Sequence, residues 1–148
     1  MIASFDDRLG RFFESIGMPR TAGRVLARLL TCDPPEQDFE ALVKAVKASR
    51  STVSVVTRLL VDLGLIERFS VAGDRKDRYR VPDGAWEALL RKDIETARQL
   101  RELANEGLAS VKKKPRSVQA RLRGMRAFYE FLEGEYAPLV KRWQRRRR

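Results

Sequence analysis

ASRSTVSVVTRLLVDLGLIERFSVAGDRKDRYR, residues Ala48 to Arg80, decides the fold. Val53, Val56, Leu60 and Leu63 recur at helical spacing and define one buried face. Ser49 or Ser51 can cap this helix, because each offers a hydroxyl to free backbone N–H groups. Arg50, Ser51, Thr52, Ser54, Thr57 and Arg58 lie at or near its N-terminal half, mostly off the buried face. Gly64 supplies the left-handed residue that ends a helix at low cost. Leu65 to Val71 and Arg78 to Val81 then read as two strands, joined by a polar hairpin tip from Ala72 to Asp77. A helix that opens on small polar residues suits the major groove, where hydroxyl and guanidinium groups reach base edges. A basic hairpin beside it suits the phosphate backbone or the minor groove.

These are the parts of a winged helix-turn-helix, and the flanking sequence supplies the remainder. Phe5, Leu9, Phe12, Phe13 and Ile16 mark a first amphipathic helix ending near Gly17, which either packs on the body or helps build a subunit interface. Pro19 suits the first turn of a second helix, whose buried stripe is Ala22, Val25, Leu26, Leu29 and Leu30. Arg20, Arg24 and Arg28 share another face of that helix, a solvated one, with Arg20 placed best for a phosphate. Asp33-Pro34-Pro35 ends it, and Cys32 just before the break reads as a half-buried structural cysteine rather than a redox sensor. Asp38 can cap a third helix through Phe39, Leu42, Val43 and Val46, the first of the helix-turn-helix pair. From Trp86 to Val111 apolar residues recur every three or four positions, and Val118 to Tyr136 define a last long helix. Pro138 interrupts that helix or falls after it, and Arg145 to Arg148 is expected to fray. The expected fold is mainly α with a small β-wing. An N-terminal helix (residues 1–18) precedes a winged helix-turn-helix (19–82) and long C-terminal dimerisation helices with a basic tail (83–148).

The segments Ser49 to Ser54, Leu63 to Arg68 and Gly73 to Asp77, in that order and spacing, resemble the core of MarR-type transcriptional regulators. Gly17 to Val25 is similar to the GbsR-like branch of that family, so the combined resemblance runs from about Phe5 to Val81. It implies a turn Lys47-Ala48-Ser49 with positive φ at Lys47, where relatives often have glycine. It further implies that Asp74 braces the wing and Arg75 enters the minor groove. A two-fold dimer and a small-molecule effector lodged between the reading lobe and the dimer helices are also implied. For the GbsR-like branch the effector would be choline or a related cation, which needs an aromatic cage. Phe12, Phe13, Trp86, Tyr129, Tyr136 and Trp143 are available, but aromatics at helical spacing are more often core, and no ligand site follows.

Charge agrees with this reading. The net charge is +11, and Lys112 to Arg148 alone holds 13 basic and 3 acidic residues. Lys44 to Arg80 adds 9 basic against 4 acidic, so positive charge gathers on the proposed reader and on the tail. With no histidine and one cysteine, histidine-based catalysis, zinc sites and internal disulfides are excluded, and no cofactor is expected. No glycine-rich phosphate loop points to an enzyme, and no apolar run is long enough for a bilayer. Asp6, Asp7 and Arg8 stand where a signal peptide would be apolar, so a cytoplasmic location is expected. The function that follows is a sequence-specific dimeric regulator of double-stranded DNA at a pseudo-palindromic operator, a repressor on family grounds. Its candidate DNA contacts are Arg50, Ser51, Thr52, Ser54 and Arg58 on the helix and Arg75, Lys76 and Arg78 on the wing. The alternative is a winged-helix protein-interaction module, or a non-specific architectural binder that uses its basic tail.

Overall fold

The computed structural model describes Ile2 to Arg148. In chain order it comprises α1 (Phe5–Ser15), α2 (Arg20–Thr31), β1 (Glu36–Asp38), α3 (Phe39–Val46) and α4 (Arg50–Asp62). β2 (Glu67–Ser70), β3 (Asp77–Arg80), α5 (Ala85–Ser110) and α6 (Arg116–Arg147) follow. Two compact units result, Met1–Ala88 and Leu89–Arg148.

In the first unit, capping and periodicity set the helices as the sequence leads one to expect. Ser4 accepts the Asp7 N–H at the start of α1, and Asp38 accepts the Ala41 N–H at 2.8 Å at the start of α3. Ala22, Val25, Leu26 and Leu29 of α2 bury with Leu42 and Val46 of α3 and Val53, Val56 and Leu60 of α4. Gly64, at φ 78°, turns the chain out of α4, and a Cβ there would meet the Ala88 Cβ at 2.8 Å. Leu65 and Ile66, expected to begin a strand, are instead buried plugs ahead of β2.

The sheet has three strands in the order β1-β3-β2, all antiparallel, where the sequence suggests two. β1 carries only Glu36-Gln37-Asp38, with no apolar alternation to mark it. It is a strand because β3 offers it an unpaired edge: Glu36 faces Arg80 and Asp38 faces Arg78. Two readings of α2 also change. Leu30 lies outside the buried stripe at 40% exposed. The arginine face is not freely solvated but turned to α1, with Arg20 bonded to Glu14 at 2.6 Å and Arg24 near Asp7 at 3.8 Å.

That α1–α2 contact is close because two buried glycines meet in it. A Cβ on Gly23 would lie 2.6 Å from the Leu9 carbonyl oxygen and 2.8 Å from the Gly10 Cα. Backbone stands where a methyl would go, so a side chain can be admitted only by moving a helix. Phe13 is buried and Leu9 half-buried, whereas Phe5, Phe12 and Ile16 of the expected apolar face stay exposed.

In the second unit, α5 and α6 form an antiparallel hairpin. Arg101 bonds Glu133 at 2.6 Å, and a Cβ on Gly107 would touch Leu122 at 3.0 Å. α6 runs through Pro138, which costs the bond to the Gly134 carbonyl. Gly134, Ala137 and Pro138 are all exposed, so water can satisfy the freed oxygen. Arg145 to Arg147, expected to fray, are helical.

Gly23→Ala should lower stability by about 1–3 kcal/mol, the usual cost of overpacking. Chemical denaturation of the two proteins checks this; an unchanged midpoint would mean that α1 is not held by that contact.

Candidate nucleic-acid interface

The start of α4 is prepared by the turn before it. Lys47 adopts φ 52° and ψ 43°, the left-handed conformation, and its N–H donates to the Val43 carbonyl oxygen. A lysine there costs about 1 kcal/mol relative to glycine. Ser49 is the cap, not Ser51: its Oγ accepts the Thr52 N–H at 3.1 Å. The same Oγ donates to Thr52 Oγ1 at 2.8 Å and lies 3.1 Å from Ser51 Oγ. Three hydroxyls are thus linked at an exposed helix start, with Thr52 Oγ1 keeping its own proton for an outside acceptor.

Ser51, Thr52 and Arg58 are exposed and Ser54 is half-buried. Thr57 turns inward instead, 2% exposed, and its hydroxyl donates to the Val53 carbonyl oxygen at 2.8 Å. In its place the outer face carries Val55, 55% exposed, between Ser51 and Arg58. Sequence reading passed over Val55 as one valine among several. The signal was available, since it falls off the Val53, Val56, Leu60 spacing. An exposed isopropyl group on a reading helix can meet a thymine methyl.

The wing is built around Asp74. Its Oδ1 accepts the Lys76 N–H at 3.0 Å and its Oδ2 accepts from Arg78 Nη2 at 2.9 Å. These contacts, the Lys76 N–H first and Arg78 second, hold the Asp74 carboxyl below its ordinary range. Arg78 also lies 3.8 Å from Glu36 of β1, so it braces the loop across the sheet. Arg75, exposed, has no partner among the described residues. The resemblance assigns bracing to Asp74, which makes these two bonds, and groove entry to Arg75, which is exposed.

Reading helix and wing face one cleft of about 390 Å³, lined by Arg50 and Ser54 of α4, Lys76 of the wing, and Phe39, Arg68 and Tyr79. The cations around it are not idle. Arg50 pairs with Glu40 of α3 and stacks over the Phe39 ring at 5.2 Å. Arg68 pairs with Asp77, and Lys76 lies 3.9 Å from Asp38. The face therefore combines exposed hydroxyls linked only through Ser49 (Ser51, Thr52) and an unpaired Arg75 with cations already held by carboxylates. A phosphate must compete for the held cations, which weakens indiscriminate binding more than docking that also uses the exposed groups.

Residues 84–146 match the family model described as the MmpR5-like MarR family transcriptional regulator. One relative is the HTH-type transcriptional regulator MmpR5 of Mycobacterium tuberculosis (strain ATCC 25618 / H37Rv). It is 37% identical over 145 residues, which cover 98% of this chain and 88% of the relative. A solved crystal structure of a transcriptional regulator is 36% identical, with a TM-score of 0.90 over 95% of this chain and 96% of that one.

Two outcomes follow. Glu40→Gln should free Arg50 and raise affinity for random duplex by about threefold, the scale of one exposed ion pair. Anisotropy titration measures it; equal or weaker binding would mean that Glu40 does not restrain Arg50. The wing should also loosen in acid. A depressed carboxyl contributes stability above its unfolded pKa and loses it as pH falls through the folded value. Protection of the Lys76 amide should persist from pH 8 to 5 and fail only below about pH 4. Hydrogen exchange followed by NMR reads this directly, and loss near neutral pH would remove Asp74 as the brace.

Proposed function

Since the chain belongs to the MarR family of winged helix transcriptional regulators, we propose that it is a sequence-specific, two-fold dimeric repressor that reads a pseudo-palindromic DNA operator. The observation that carries this is the exposed start of α4, where, among the described residues, the Ser51 and Thr52 hydroxyls bond only to Ser49 and face outward, together with a wing whose Arg75 is unpaired. Thr52, Ser54 and Val55 would meet base edges. Arg58 and Lys76 would meet phosphates, and Arg75 the minor groove. Arg50 and Arg78, both held by carboxylates, would orient the helix and the wing.

Dimerism is supported by apolar side chains left uncovered in each unit. Phe5 and Phe12 are exposed on α1 and Ile16 at its end, and Leu103, Phe128 and Phe131 on the hairpin, Phe131 to 63%. Apolar clusters of this kind are ordinarily covered by a partner, and a symmetry mate is the one a two-fold operator requires. Release by a small-molecule effector and residence in the cytoplasm complete the proposal. Within the family, Gly17 to Val25 supports kinship with the GbsR-like branch.

Selection of binding sites from genomic DNA at two salt concentrations tests the reading. An inverted repeat with half-sites about one helical turn apart is expected. Thr52→Ala should relax preference at one base pair in each half-site at a cost of about 1–3 kcal/mol. Arg75→Ala should weaken binding with less change in sequence preference. Recovery of no preferred sequence would overturn the proposal.

A further inference from the structure

The structure assigns a second polyanion-binding surface to the end of α6, which we infer grips the phosphate backbone of duplex DNA without regard to sequence. From Tyr136 to Arg148 there is no acidic residue, and six of the last eight residues are lysine or arginine. The segment is helical to Arg147, so these side chains leave the helix in fixed directions. Lys141, Arg145 and Arg148 surround one concavity with Gln144. Arg142 and Arg146 border another with Leu90, Leu139 and Trp143. Positive charge thus stands on two flanks of the same helix end.

Four observations favour a polyanion partner over ordinary surface charge. First, Lys141, Arg142, Arg145, Arg146 and Arg148 are exposed and have no ion-pair partner among the described residues. Arginines elsewhere are commonly neutralised, as Arg20, Arg50, Arg68, Arg80, Arg98 and Arg101 are. Second, Lys141 with Arg145, and Arg142 with Arg146, are like charges four residues apart, which disfavours the helix that presents them. A helix C-terminus welcomes cations in its last turn, but that effect fades within one turn and does not reach Lys141 and Arg142. Third, Leu90 and Trp143 border the same hollow, so the hairpin returns this end of α6 to the first turns of α5. Fourth, guanidinium groups suit phosphate oxygens geometrically.

The proposal extends the DNA-binding reading but needs no operator, so the two can fail separately. The test compares the full chain with a variant carrying K141Q, R142Q, R145Q, R146Q and R148Q. A second variant, carrying R142K, R145K, R146K and R148K, keeps the charge. Circular dichroism confirms that both retain helix. Binding to a 60-base-pair random duplex is titrated across salt concentrations. With about 0.9 in slope lost per phosphate contact, the glutamine variant should show a log–log salt slope smaller by roughly 4 per protomer. Its affinity at low salt should drop by tenfold or more, while the lysine variant, which keeps the charge but not the guanidinium geometry, should keep the parent's salt slope with somewhat weaker binding. An unchanged slope would overturn the assignment. So would an unchanged slope together with lost binding to phosphatidylglycerol vesicles, which would give the surface to an anionic lipid. If the slope falls but no operator is ever selected, the tail assignment stands and the reading-helix proposal fails.

Discussion

The pairing of β1 with β3 is the constraint on which the candidate interface depends. Asp38 is the last residue of β1, lies opposite Arg78, and caps α3 through the Ala41 N–H. One residue thus ties the central strand of the wing to the first helix of the helix-turn-helix. α3 ends eight residues later at Val46, and the left-handed Lys47 then aims α4. On the other side of β3, Arg78 crosses back to Asp74 and fixes the wing tip. A short polar strand thus links the helix-turn-helix to the wing, beside the buried Leu65, Ile66 and Tyr79 that join them through the core. Short edge strands are the least autonomous part of a sheet. This one holds because Asp38 has a backbone register, a capped helix and a nearby Lys76 to satisfy together.

Charge on this face is arranged as a restraint as much as an attraction. Glu40, Asp74 and Asp77 engage Arg50, Arg78 and Arg68, the cations that an unfiltered electrostatic binder would leave free. Exposed pairs of this kind contribute little to folding. Their effect lies in what they compete with. A phosphate that captures Arg50 must also leave Glu40 without its partner, so generic backbone contact is discounted. Specificity is a difference of affinities, and weakening the wrong complex serves it as well as strengthening the right one.

Periodicity and caps made the helices legible in the sequence, since Val53, Val56 and Leu60 on one face leave little freedom for α4. The wing hairpin was legible from its polar tip, and the strained turn at Lys47 from the family resemblance. β1 was not legible, because a three-residue polar strand has no pattern of its own and exists only through its partner. The packing of α1 on α2 was hidden for a related reason. Gly10 and Gly23 look like two helix weakeners, and only their meeting in space makes them a contact. Within the candidate interface, residue types were readable but side-chain engagements were not. Nothing local distinguishes Arg75, which is free, from Arg78, which spans to residues 4 and 42 positions away in Asp74 and Glu36.

The uncovered apolar surface bears on how such a regulator would be controlled. Between Leu89 and Arg148 the hydrophobic residues that are fully buried are Ala97, Ala104 and Val140, two of them too small to contribute much. Two helices of 26 and 32 residues cannot owe their order to that core alone. If a second copy covers Leu103, Phe128 and Phe131, then folding of the hairpin, association and presentation of two reading helices become one linked equilibrium. Anything that favours the associated state would then raise the occupancy of a two-half-site operator more steeply than that of a single site. Conversely, a ligand that binds the free hairpin better would lower DNA affinity without touching α4. Control would thus be exerted where the chain is least able to satisfy itself.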